Sequence, residues 1–266
     1  MRRLHPGVFL GAYLLYHASK WLGTGRYRQL LARAGRRLSW SLHLRLNYAG
    51  MFYSLFLPGS VGGDAYKIWA LHSKEEDALS WKTIGRLTLL DRLSGVLGLL
   101  VWLMLLLWAS PRLQVWPTSW SLPAGMAMGL LPLVVALGLK MLLQVTFRDV
   151  GYASLWSLGV QGSQLSAALL LLYGLGWEEA PVAYLALFLL SSLATLVPVT
   201  VGGAGARELV FLAGARHGGL EADPAVALGL LIFVINLFAA LPGAWLIPAK
   251  NRLEAPPAPK TPDRPE

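Results

Sequence analysis

The sequence predicts an all-α, polytopic helical membrane protein with two re-entrant broken-helix pairs in an inverted-repeat arrangement. Three observations predict it. Of 266 residues, 55% are hydrophobic and only 14% charged, where soluble domains carry about a quarter charged residues. Apolar runs such as 97–109, 130–143 and 228–241 approach or belong to windows of the roughly 20 residues that a helical span needs. A proline–glycine motif also recurs within the chain.

The apolar windows fall at about 6–22, 46–57, 64–71, 86–109, 122–143, 152–173, 181–197, 204–215 and 225–247. Five are long enough to cross. Four are short or broken and form two adjacent pairs, 46–57 with 64–71 and 181–197 with 204–215. Trp102, Trp108, Trp116 and Trp120 cluster near the end of one span, where interfacial aromatic residues gather.

Orientation follows from Lys and Arg. Segment 20–45 carries Lys20, Arg26, Arg28, Arg33, Arg36, Arg37 and Arg45 with no acidic residue. It is expected to be cytoplasmic and to meet anionic inner-leaflet lipid, with 27–38 lying on that leaflet as a basic amphipathic helix. The loop near 111–121 fits the outside, Arg148 the inside, Glu178 and Glu179 the outside, and Lys250 the inside. This alternation closes if each broken pair enters and leaves on one side, the first from the cytoplasm and the second from outside. Residues 1–248 then form a single transmembrane domain. The first residues, Met1-Arg2-Arg3, fall outside against the usual bias, which a missing upstream span or a misplaced start codon would explain. The tail 249–266 is expected to be disordered and cytoplasmic, with five prolines in 255–266.

Other classes are set aside. The net charge of +9 sits beside apolar spans, so lipid rather than nucleic acid is the expected partner. The chain has no cysteine, its five histidines match no metal spacing, and it has no nucleotide-binding loop. No cofactor is expected.

The repeat motifs lie at 58–67 and 198–208. Pro58-Gly59-Ser60-Val61-Gly62-Gly63 aligns with Pro198-Val199-Thr200-Val201-Gly202-Gly203, and Lys67 falls opposite Arg207, at an offset of 140 residues. A proline disfavours helix in the residue before it. The glycine pair lets the backbone turn where other residues cannot. New helices are expected near Asp64 and Ala204, with unpartnered first amides and the positive dipole end beside Lys67 and Arg207. That combination suits an anion. Matched breaks in oppositely oriented halves point to a transport site.

Further charges sit in or beside the spans: Asp64, Arg86, Asp91, Arg92 and Glu208. Each costs about 2.5–3.5 kcal/mol at mid-membrane on insertion scales. Asp91 or Glu208 is expected to neutralise Lys67, Arg92 or Arg207, while Arg86 snorkels. Asn47 and Tyr48 offer polar contacts. Ser94, Gly95 and Gly98 read as helix-packing positions.

Leu57 through the first motif to Asp64 and Lys67, then Asp91-Arg92-Leu93-Ser94-Gly95, then the second motif with Arg207-Glu208, resemble the lysylphosphatidylglycerol synthase transmembrane (flippase-like) family. The resemblance runs from about 21 to 247. It implies a multi-pass lipid-handling domain with paired re-entrant helices, which in fused members moves aminoacylated phosphatidylglycerol between leaflets. Those members add a soluble synthase domain, expected to be absent here. The family usually has Arg where this chain has Lys67, which keeps charge but loses bidentate phosphate geometry.

The leading expectation is a transporter of a phosphate-bearing lipid, a phospholipid or a polyprenyl phosphate, and not an enzyme. Gly62, Gly63, Asp64, Lys67, Asp91, Arg92, Gly202, Gly203, Arg207 and Glu208 form the expected binding set. Two alternatives stand beside it. One is a membrane enzyme acting on a lipid-linked substrate, with Asp64, Asp91 or Glu208 as acid or base. The other is a noncatalytic partner of a separate lipid-modifying enzyme.

Overall fold

The apolar windows fold as helices, and the computed structural model describes residues 4–56, 61–72, 79–113, 121–195 and 205–246. The helices are α1 (Pro6–Arg33), α2 (Trp40–Phe56), α3 (Val61–Leu71), α4 (Trp81–Ala109), α5 (Ser121–Leu143), α6 (Phe147–Gly174), α7 (Pro181–Ala194), α8 (Ala206–His217) and α9 (Ala222–Ala240). The described residues contain no strand. Residues 57–60 and 196–204 of the two motifs, Gly202 and Gly203 among them, lie outside the described residues, as does the tail.

Local chemistry sets the helix ends. Pro6 opens α1, and the His5 ring accepts from the Gly7 amide at 3.1 Å. Ser80 caps α4 through the Thr83 amide, and Thr146 with Asp149 forms a capping box on α6. Gly35, Gly176 and Gly219 follow α1, α6 and α8 at φ of 95°, 81° and 59°. Each stop returns an amide five residues back: Arg36 to Leu31, Trp177 to Leu172 and Leu220 to Ala215. Such a stop requires a left-handed residue, which glycine adopts without strain.

Four segments are long and apolar enough to cross a bilayer: Trp81–Ala109, Gly125–Leu143, Phe147–Gly174 and Ala222–Ala244. Large apolar side chains face outward, with Leu130 53% and Met141 78% exposed, while Arg26, Asp91 and Gln161 are buried. That distribution suits a hydrocarbon solvent.

Two expectations change. The fifth expected span is the first helix, which is longer than its apolar window but less apolar than the other four. It runs unbroken from Pro6 to Arg33, so 27–38 is no separate surface helix. Its basic half is held by packing: Tyr27, Leu30 and Leu31 are buried, and Arg26 is buried against α4. Arg33 pairs with Asp149, and Arg36 donates to the Leu71 carbonyl at 2.7 Å. Three of the seven cations of segment 20–45 therefore serve the fold. Helix α4 also starts earlier than expected, so Arg86 lies inside it.

The core divides into two clusters. One gathers α2, α3, the second half of α1 and the first halves of α4 and α6. The other gathers α7, α8, α9, the first half of α1 and the second halves of α4 and α6. The broken pair α2–α3 thus packs at one end of the three long helices, and α7–α8 at the other. Between the ends, Arg26 Nε donates to Asp91 Oδ1 at 2.7 Å and its Nη1 to Ser157 Oγ at 2.7 Å, joining α1, α4 and α6. A Cβ at Gly98 would lie 2.6 Å from Ser157 Cβ, so that glycine sets the approach of α4 to α6.

Removing one partner of a buried pair leaves the other charge uncompensated, which costs about 3–5 kcal/mol. Asp91→Ala is expected to lose that much and to lower the thermal midpoint of the detergent-solubilised protein. Arg112→Ala breaks an exposed pair with Glu179, and its expected loss stays under about 1 kcal/mol. Equal midpoints for the two variants would contradict this assignment.

Candidate functional site

A cavity of about 330 Å³ opens where the two core clusters meet. Its walls come from the central turns of the long helices: Tyr16 and Lys20 of α1, Arg92 and Gly95 of α4, and Gln161 and Gln164 of α6. The broken pairs close it from both sides. Gly63, Asp64 and Lys67 come from α3, Ser192 from α7, Thr195 just beyond it, and Arg207 from α8.

Gly63 is where α3 meets α2. A Cβ there would collide with the Gly50 carbonyl and Ser54 Oγ. Gly62 and Gly63 lie in the first turn of α3 and neither has a positive φ. The expected backbone freedom is therefore not the reason for Gly63; close helix approach is. The Gly63 amide donates to Ser54 Oγ at 3.1 Å, and the Gly205 amide donates to Glu208 Oε2 at 2.7 Å. These two amides at the helix starts are therefore satisfied internally.

The charges are paired unevenly. Arg92 Nη1 meets Asp64 Oδ2 at 2.7 Å across the cavity wall. Lys20 Nζ lies 4.2 Å from the Tyr16 ring centroid, and Lys67 Nζ 5.2 Å from that of Tyr27. The buried Arg207 Nη1 has no hydrogen-bond partner among the described residues. Among the described residues, no carboxylate lies within ion-pair distance of Lys20, Lys67 or Arg207. Among the described residues, the lining thus holds four cations and one carboxylate, Asp64, already engaged by Arg92.

Of the expected set, Gly63, Asp64, Lys67, Arg92 and Arg207 meet at this cavity. Gly62 is buried beside it but does not line it. Asp91 does not reach the cavity and does not neutralise Lys67, Arg92 or Arg207; it belongs to Arg26. Glu208 holds the start of α8 through Gly205. Adjacent helix residues point about 100° apart, so Asp91 and Arg92 face different neighbours.

The chain matches the family described as lysylphosphatidylglycerol synthase TM region over residues 1–243. It belongs to that family. No curated protein and no solved structure matches it. As a member of the lysylphosphatidylglycerol synthase TM family with four membrane-length helices, it is a multi-pass membrane protein, consistent with a lipid-related function.

For this family member, sequence reasoning missed Lys20, Gln161, Gln164 and Asn236 as lining residues. Asn236 Oδ1 accepts from Tyr16 Oη at 2.9 Å, and Gln164 Nε2 donates to Ser19 Oγ at 3.3 Å. A signal was present: Asn236 is a lone amide in an otherwise apolar run, and Gln161 and Gln164 share one helix face at i, i+3. Lys20 was hidden by the arginines that follow it.

Two outcomes are expected. Gly63→Ala forces α3 off α2 and lowers stability by about 1–3 kcal/mol, whereas Gly85→Ala, with open space around its Cβ, is neutral or slightly stabilising in the same unfolding measurement. Because the chain has no cysteine, a single Ser192→Cys reports on water in the cavity. A small hydrophilic thiol reagent is expected to modify it, and complete resistance would mean a closed, dry hollow.

Proposed function

We propose that the protein is a flippase-like transporter that carries a phosphate-bearing lipid between the leaflets of the cytoplasmic membrane. The observation that carries this reading is the cation-rich cavity at the middle of three long helices, flanked by both broken pairs. Charges at that depth are costly unless they pair or meet a ligand or water. Asp64 compensates Arg92; Lys20, Lys67 and Arg207 await an anion. A lipid phosphate supplies one, while its acyl or prenyl tails stay in hydrocarbon.

In this reading α2–α3 and α7–α8 are re-entrant pairs of an inverted repeat, entering from opposite faces. Support comes from their packing in opposite core clusters and from their joint contribution to one cavity. Rocking one pair relative to the other would then expose the site alternately. Transit is favoured over chemistry because the carboxylate on the cavity wall is engaged by Arg92, which suits it poorly to act as a general base. The basic segment meets anionic lipid separately: Arg28 and Arg37 share a second hollow with Trp40 and Trp156. A separate lipid-modifying enzyme is a natural supplier of the transported lipid.

The test is a leaflet-resolved lipid assay on reconstituted protein. A hydrogen bond to a charged group contributes about 1.5–3 kcal/mol. The Lys67→Ala/Arg207→Ala double variant is therefore expected to transport at least about tenfold more slowly. Unchanged transport would remove the site.

A further inference from the structure

Two buried polar atoms of opposite character belong to residues that line the central cavity, and neither has a partner among the described residues. Arg207 Nη1 can only donate; Gln161 Oε1 can only accept. Gln161 is 8% exposed. Its amide orientation follows from the Gly95 carbonyl, 3.5 Å from Nε2, which only a donor can face. Native proteins keep such orphans where a ligand or a water completes them.

Nearby hydroxyls lean the same way as Gln161. Ser192 Oγ donates to the Phe188 carbonyl at 3.0 Å, and Thr195 Oγ1 to the Ser192 carbonyl at 2.8 Å. With their O–H groups engaged as donors, both offer only lone pairs to the cavity. The lining therefore holds cations for an anionic oxygen and, beside them, neutral acceptors for a proton donor. An ammonium would satisfy the acceptors but would sit among Lys20, Lys67 and Arg207, which lack carboxylate partners among the described residues. A hydroxyl satisfies them without that repulsion.

We propose that the cavity selects a phosphodiester lipid with an uncharged, hydroxyl-bearing headgroup, a glycerol or a sugar, and disfavours an aminoacylated, cationic one. The phosphate meets Arg207 and Lys67, and a headgroup hydroxyl donates to Gln161 Oε1. This deepens the transport reading and rests on it for the lipid identity of the ligand.

The experiment is displacement of a fluorescent phosphatidylglycerol from the detergent-solubilised full chain by unlabelled competitors. Phosphatidylglycerol is expected to compete about five- to tenfold better than phosphatidylmethanol, an anionic diester without a headgroup hydroxyl, the range of one net hydrogen bond. Lysyl-phosphatidylglycerol is expected to compete less well than phosphatidylglycerol. Gln161→Leu should bring the two anionic diesters together. Equal competition by both diesters in the wild-type chain, or a lysylated lipid competing best, overturns the headgroup assignment and leaves the anion site standing. A ratio unchanged in Gln161→Leu overturns it too. Glycerophosphoglycerol, the same headgroup without tails, separates the two claims: competition equal to the lipid's would keep the headgroup chemistry but sink the lipid reading. No displacement by any phosphodiester sinks both.

Discussion

The Arg26–Asp91 ion pair is the contact on which the bundle depends. It joins the second half of α1 to the first half of α4, is almost fully buried, and takes in Ser157 of α6 through the second guanidinium nitrogen. Three long helices that could slide along one another in lipid are fixed in register by one side chain. Association of apolar helices in a bilayer gains little from the hydrophobic effect, so close packing and internal polar contacts set the geometry. Here both act at the same level: Gly98 brings α4 against Ser157, and the guanidinium bridges the same serine.

With that register fixed, the next residue along α4 becomes available for a different task. Arg92 faces α3 and the cavity, where it meets Asp64. The dipeptide Asp91-Arg92 thus ties the long helices to each other and to the first broken pair. The second broken pair is anchored differently. Gly205 turns the chain at φ 85° and Glu208 holds its amide, which places Arg207 in the cavity. The two pairs therefore deliver cations to one hollow through unlike local chemistry.

The sequence made the membrane class legible, because runs such as 130–143 leave no polar face for water. It also marked the two breaks and the cations Lys67 and Arg207 that follow them. It misplaced the first helix. Seven cations between 20 and 45 read as a cytoplasmic segment, and nothing local shows that Arg26 has a carboxylate partner 65 residues away. Long-range pairing also governs which neighbour each half of Asp91-Arg92 chooses, so the spacing marked two candidate charges where the structure brings only Arg92 to the cavity. For Gly63 the residue was marked for the wrong reason. A glycine that relieves a helix crossing and one that adopts a positive φ are indistinguishable without the neighbouring Gly50 and Ser54.

The balance of charge in the cavity follows from opposing demands. A hollow whose cations all had carboxylate partners would be stable when empty but would gain nothing from an arriving phosphate. One with no carboxylate would be costly when empty and slow to release an anion once bound. The wall here stands between these limits. Asp64 engages one of four cations, and the aromatic faces of Tyr16 and Tyr27 moderate two others by weaker cation–π contact. Weak partners are easily exchanged, since an anion gains most where the cation gives up least. A carrier needs binding that is favourable enough to enter and shallow enough to leave. Two cations beside rings, one held by a carboxylate and one with a guanidinium nitrogen unpartnered among the described residues would suit the transport proposed above.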